Sequence, residues 1–130
     1  DKPAPRDFVG DYPLQAVESL ALFDFTTEIS PNIMLTYHSQ GEVIFWKFLD
    51  YNPPYALEIG NKLSELSGYE LLDTPYASSF AGFKDWFIQT YNLPGYTFEV
   101  GLGTNPLPLT QFDKIYSDNI KILIQTPLLI

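Results

Sequence analysis

From Leu14 onward the apolar residues Leu14, Val17, Ala21 and Phe25 recur at spacings of three and four, the period of one buried helical face. Ser30-Pro31-Asn32 breaks that pattern. Two short runs rich in strand formers follow, Ile33 to Tyr37 and Val43 to Trp46. The segment His38-Ser39-Gln40-Gly41-Glu42 between them is therefore expected at or beyond a strand end, where polar groups can meet a ligand without being buried. Asn52-Pro53-Pro54 favours a helix start, Leu57, Leu63 and Leu66 mark that helix, and Gly68 can end it in a left-handed cap. Tyr69 to Leu72 is the next expected strand, Ser79 to Tyr91 an aromatic-rich helix, and Tyr96 to Val100 another strand. After a loop from Gly101 to Pro108, Leu109 to Ile124 carries Phe112, Ile115, Tyr116, Ile120 and Leu123 on one face of a last helix. Helices alternating with short apolar strands point to an α/β layer around a largely parallel or mixed sheet.

The stretch Asp1 to Pro13, with three prolines, one glycine and alternating charges, is expected to be an extended lead-in. Across 130 residues, 45% hydrophobic and 16% aromatic content is that of one globular domain with a real core. Apolar runs break well before the roughly 18 residues a bilayer span needs, and residues 1–6 lack a signal-peptide core, so a soluble chain already separated from whatever preceded it is expected. Sixteen acidic against seven basic residues give a net charge of −9, with the cations scattered, which disfavours nucleic acid and anionic membranes as partners. Zero cysteines exclude disulfides, Cys-based zinc sites and thiol catalysis.

His38 is the sole histidine, so a triad or metal site needing an imidazole must use it, the alternative being a structural role at a strand end. No Gly-x-Ser-x-Gly elbow is present, and Ser39 beside the histidine points to the other face of a strand. Gly101-Leu102-Gly103-Thr104-Asn105-Pro106 reads better as a turn into the last helix than as a dinucleotide loop. Glu99 lies inside an otherwise buried strand pattern, Tyr96-Thr97-Phe98-Glu99-Val100, where a charge is expensive and is either paired or held for function. Lys84 and Asp85, taken alone, read as a solvated face beside Trp86.

Two segments change this picture together. Leu35-Thr36-Tyr37-His38-Ser39-Gln40-Gly41-Glu42-Val43-Ile44, and downstream Asp85-Trp86 followed by Tyr96-Thr97-Phe98-Glu99-Val100-Gly101, resemble the third-ligand and catalytic-glutamate motifs of the zinc carboxypeptidase family, in order and with compatible spacing. Asn105-Pro106-Leu107-Pro108-Leu109, with Gln111-Phe112-Asp113 after it, is similar to the bacterial γ-D-glutamyl-L-diamino acid endopeptidases of cell-wall turnover. The resemblance runs from about Pro5 to the last helix. It implies that the chain is the C-terminal part of a peptidase catalytic domain, holding the later strands and helices of a larger mixed sheet.

The resemblance further implies zinc bound by a His-x-x-Glu pair plus a distant histidine, matched by His38, with Glu99 as the general base. Tyr76 matches a mobile tyrosine that covers substrate. Lys84 falls where the family lines a specificity pocket, and a cation there suits the distal carboxylate of diaminopimelate. Ser39, next to His38 in the matched segment, is assigned to substrate binding with them. The departures are equally plain: no His-x-x-Glu occurs, nor the family's Asn-Arg clamp. The chain alone is therefore expected to be inactive, not to bind zinc stably, and to self-associate or be partly disordered where its missing N-terminal half would sit.

The implied function is hydrolysis of γ-D-glutamyl-diaminopimelate amides in peptidoglycan peptides, by an enzyme facing the cell wall or recycling wall peptides in the cytoplasm. An exocarboxypeptidase of the same family and a non-catalytic peptide-binding homologue are the alternatives.

Overall fold

The structure, a computed structural model, describes residues 2–3, 8, 10–80 and 82–129; much of the expected lead-in lies outside the described residues. The chain divides into two compact units, Asp1–Asn32 and Ile33–Ile130.

In the first unit, α1 spans Val17–Ile29 and ends at Ser30, whose left-handed backbone returns its N–H to the Thr26 carbonyl at 3.0 Å. The helix forms as expected, but its expected buried face does not: Val17 is 74% and Phe25 57% exposed, and Leu14 and Ala21 are exposed too. Leu20, Leu22 and Ile29 add apolar surface elsewhere around the helix, so a three-to-four spacing does not select one inward side.

The second unit is built on β1 (Met34–His38), β2 (Val43–Phe45), α2 (Ala56–Ser67), β3 (Glu70–Leu72), α3 (Phe83–Tyr91), β4 (Gly95–Glu99) and α4 (Phe112–Gln125). The strands form one mixed sheet in the order β1-β4-β2-β3, with β4 parallel to β1 and antiparallel to β2, and β2 parallel to β3. The expected α/β layer is thus present, with non-sequential neighbours at its centre.

One sheet face carries the core, where Ile44, Trp46, Tyr96 and Phe98 meet Ala56, Ile59 and Leu63 of α2 and Ile122 of α4. The Tyr96 hydroxyl donates to the Ala56 carbonyl at 2.6 Å. Gly60 lets α2 approach this closely, since a Cβ there would stand 3.1 Å from the Leu71 methyls and 3.2 Å from the Tyr96 ring. Gly68 caps α2 at φ 78°, as its position suggested.

Two expectations are corrected. The aromatic-rich helix begins at Phe83, not Ser79, because Tyr76–Ser78 form a separate 3-10 turn and Phe80 adopts φ 80°. On α4 the buried line is Asn119, Ile122 and, just beyond the helix, Thr126, while Phe112, Tyr116 and Leu123 face outward. Two polar residues take inward positions because they find partners: Asn119 Nδ2 donates to the Tyr69 hydroxyl at 3.0 Å, and Thr126 Oγ1 to the Ile122 carbonyl at 2.7 Å. Among the described residues no helix is long and apolar enough to cross a membrane.

Candidate functional site

The face of the sheet opposite the core carries polar rungs. Residues two apart on a strand share a face, so Thr36 and His38 project together from β1, as do Thr97 and Glu99 from β4. The parallel register pairs Thr36 with Thr97 and His38 with Glu99. The first rung is closed by a 3.0 Å hydrogen bond between the two threonine hydroxyls. The second therefore sets the only imidazole beside the strand carboxylate, on adjacent strands about 4.8 Å apart. On β2, Phe45 extends the first rung and Val43 the second.

Glu99 is partly buried, and that burial pushes its carboxyl above the ordinary range by disfavouring the charged form; the neighbouring His38 imidazole offsets part of the rise.

Two loops leave the sheet at this end, and they are stitched together. Val100 N–H donates to the His38 carbonyl at 2.8 Å and Gly41 N–H to the Gly101 carbonyl at 2.7 Å. Ser39 Oγ donates to Asn105 Oδ1 at 2.9 Å, and Asn105 Nδ2 returns a 2.9 Å bond to the Ser39 carbonyl. Gln111 clasps Leu102 from both sides, accepting its N–H at 3.0 Å and donating to its carbonyl at 2.7 Å. Ser39, expected to bind substrate, thus has its hydroxyl engaged in tying one loop to the other. Asn105 and Gln111 had no expected role of their own; only their place in the matched tail drew attention to that stretch.

Lys84 and Asp85 are corrected most. They are neither a solvated face nor a free cation, since each side chain is only 4% exposed. The Lys84 stem packs over Gly95, its Cγ 3.3 Å from where a Cβ would stand, at the end of β4 remote from Glu99. Its ammonium donates to the Lys47 carbonyl (2.8 Å), Thr74 Oγ1 (3.0 Å) and Asp85 Oδ1 (2.5 Å), which uses all three N–H groups. Burial lowers the Lys84 pKa, and Asp85 opposes that shift. Tyr76 sits in its 3-10 turn, 75% exposed, with its ring edge-on to Phe80 at 5.3 Å.

Zinc needs three or four nitrogen, sulfur or oxygen donors in close array. Among the described residues no group of three or more His, Cys, Asp or Glu side chains could hold a metal. With one imidazole and no cysteine, the residues present fit one corner of such a site and do not make a whole one.

No protein-family model matches the chain. It is 43% identical over 122 residues to gamma-D-glutamyl-L-diamino acid endopeptidase 1 of Lysinibacillus sphaericus, covering 94% of this chain and 30% of that protein. It is 41% identical over 121 residues to the uncharacterized protein YqgT of Bacillus subtilis strain 168, covering 93% of this chain and 32% of the relative. The chain thus spans about a third of the length of the curated relatives it matches. Among solved structures it superposes on the murein-tripeptide amidase MpaA of Escherichia coli O157 with a TM-score of 0.68 at 21% identity, over 89% of this chain and 44% of that one. In sequence the chain is therefore similar to part of a γ-D-glutamyl-L-diamino acid endopeptidase, which matches it over nearly its whole length, and in fold to part of the murein-tripeptide amidase.

Proposed function

We propose that these 130 residues are the C-terminal part of the catalytic domain of a zinc-dependent peptidase that hydrolyses γ-D-glutamyl-diaminopimelate amide bonds in peptidoglycan peptides. The single observation that carries the reading is the rung formed by His38 and Glu99, adjacent in register on the sheet face opposite the core. The name of the relative that matches 94% of the chain, a gamma-D-glutamyl-L-diamino acid endopeptidase, supports the substrate class.

In this reading His38 supplies one nitrogen to zinc and the remaining ligands come from residues outside this sequence. The metal, when bound, supplies Lewis acidity that makes water a nucleophile near neutral pH. Glu99 acts as the general base and then as the general acid toward the leaving amine. A carboxyl held above its ordinary range is better matched to receiving and releasing a proton near neutrality. The Thr36–Thr97 rung beneath keeps both side chains on that face, and the stitched loops fix the backbone at both strand ends. Tyr76, exposed on its turn, is free to close over bound peptide. In this reading Lys84 has no donor left for the distal diaminopimelate carboxylate, since its three N–H groups are engaged by Lys47, Thr74 and Asp85. A wall-facing location and self-association of the isolated chain complete the reading.

The test uses the full-length protein on a γ-D-glutamyl-diaminopimelate peptide with products identified by mass. Glu99→Gln is expected to lower kcat by roughly 10²–10⁴-fold with zinc content unchanged, and His38→Ala to lose stoichiometric zinc. Wild-type turnover by Glu99→Gln would sink the proposal.

A further inference from the structure

The buried charges of α3 lie away from the His38–Glu99 rung and take no part in the chemistry proposed for it. Burying two charges is a weak route to stability, since well-packed apolar residues of similar volume do as well or better. What an apolar pair could not do is hold polar groups of another segment, and Lys84 and Asp85 hold two. The Lys84 ammonium donates to Thr74 Oγ1, which itself donates to the Lys47 carbonyl at 2.5 Å. Asp85 Oδ2 accepts the Phe80 N–H at 3.0 Å. Thr74 and Phe80 bracket the turn that carries Tyr76.

Each end is held where holding is needed. Phe80 sits at φ 80°, a region costly for a bulky side chain, so its backbone persists only if neighbours enforce it. The Asp85 carboxylate bonds its N–H, and the Phe80 ring stands edge-on to Phe48 at 5.8 Å and Tyr76 at 5.3 Å. Asp85 lies in the first turn of α3, where the helix end favours a negative charge and orients it without any capping side chain. The Lys84 stem is wedged against Gly95, so the ammonium is aimed from the sheet toward Thr74. Between the pinned ends the turn is largely exposed, and among the described residues its hydrogen bonds are its own: Ser78 N–H to the Pro75 carbonyl at 2.9 Å, Ser79 N–H to that of Tyr76 at 3.2 Å and Ser79 Oγ to that of Pro75 at 3.2 Å.

We propose that the Lys84–Asp85 pair is a clamp that fixes both ends of the Thr74–Phe80 segment and thereby sets the position of Tyr76, making both positioning residues. The functional half of this statement rests on the reading of Tyr76 as the side chain that closes over substrate; the clamp itself does not. With both ends fixed, the exposed Tyr76 side chain rests edge-on against Phe80 while the segment stays anchored beside α3.

The experiment compares hydrogen exchange and kinetics in the full-length protein. Lys84→Met combined with Asp85→Leu removes the clamp without stranding a buried charge, since neither new side chain can hold Thr74 or the Phe80 N–H, and Thr74→Val is the milder variant should the double substitution fold poorly. Exchange across residues 74–80 is expected to rise roughly tenfold, the factor that one net hydrogen bond represents, with residues 56–67 unchanged. The double variant should lower kcat/KM about tenfold in the wild-type background and add no loss in a Tyr76→Ala background. Exchange that rises equally in both regions, or in neither, would overturn the clamp. Faster exchange confined to 74–80, together with wild-type kinetics for Tyr76→Ala, would uphold the clamp and reject the reading of Tyr76.

Discussion

Gly101 lies just beyond β4 and is the most demanding glycine near the His38–Glu99 rung. Its φ is +70°, and a Cβ there would stand 2.6 Å from Leu107 Cδ1, 2.9 Å from Gln111 Oε1 and 2.9 Å from Ile115 Cδ1. Gly101→Ala should therefore be penalised twice. The left-handed backbone costs an L-residue about 1–2 kcal/mol. Forcing three side-chain ends apart at once belongs with overpacking, at about 1–3 kcal/mol; each end can yield, but the Gln111 oxygen yields only by loosening its clasp on Leu102. The expected total is about 2–5 kcal/mol.

Gly68→Ala isolates the first contribution, because φ is +78° there and nothing lies within 4 Å of the added carbon. Its loss should stop at about 1–2 kcal/mol. Urea denaturation of both variants gives the difference, which is the steric part alone. A local signature accompanies it: Gly41 N–H bonds the Gly101 carbonyl at 2.7 Å, so the His38 ring resonances should move in Gly101→Ala and stay put in Gly68→Ala. If the two variants melt within about 0.5 kcal/mol of each other, the close packing around Gly101 is wrong.

Three further outcomes follow from the same structure. Burial raises the Glu99 pKa, so the unfolded chain ionises first as pH rises, and stability falls from the ordinary glutamate value up to the raised one; Glu99→Gln should stabilise above that window and be neutral below it. Melting temperatures at pH 3 and pH 7 test this, and an equal effect at both would refute it. Leu63, fully buried between α2 and the sheet, should lose about 2–5 kcal/mol on change to Ala, read by urea denaturation; a loss under about 1 kcal/mol would mean the core is not packed there. Lys114 bridges Glu42 at 2.8 Å and Asp118 at 2.6 Å but is itself exposed, so Lys114→Met should cost less than about 1 kcal/mol and the loss should shrink in high salt.

What was legible in the sequence was local. Asn52-Pro53-Pro54 and Gly68 bracket α2 within a few residues, and the short apolar runs at Ile33 and Val43 became β1 and β2 with shifts of one residue. Side-chain facing was less legible, because it depends on partners far along the chain. On α4 the periodicity of aromatics and isoleucines favoured Phe112, Tyr116 and Leu123, whereas Asn119 turns inward to meet Tyr69, fifty residues earlier. Lys84 reads as solvated until the Lys47 carbonyl and Thr74 are known to surround it, thirty-seven and ten residues away. His38 and Glu99 were legible as candidates, and the strand order that makes them neighbours was not, since β4 inserts between β1 and β2 from much later in the chain.

The meeting of those two residues is a consequence of packing rather than of their own attraction. A one-residue slip of β1 against β4 would turn His38 to the opposite face from Glu99. Two contacts on opposite faces resist that slip: the hydroxyl bond of Thr36 with Thr97 at 3.0 Å, and the stacking of Tyr37 on Phe98 at 4.9 Å. Either would be lost if threonine met aromatic across the strands, so the register is specified by residues with no part in the chemistry. The Glu99 carboxylate, by contrast, is disfavoured by its burial on balance, a cost that the neighbouring His38 offsets only in part. A fold that fixes the alignment through its neighbours can keep an electrostatically unfavourable carboxylate beside the imidazole, which is the condition a proton-transferring base at that position requires.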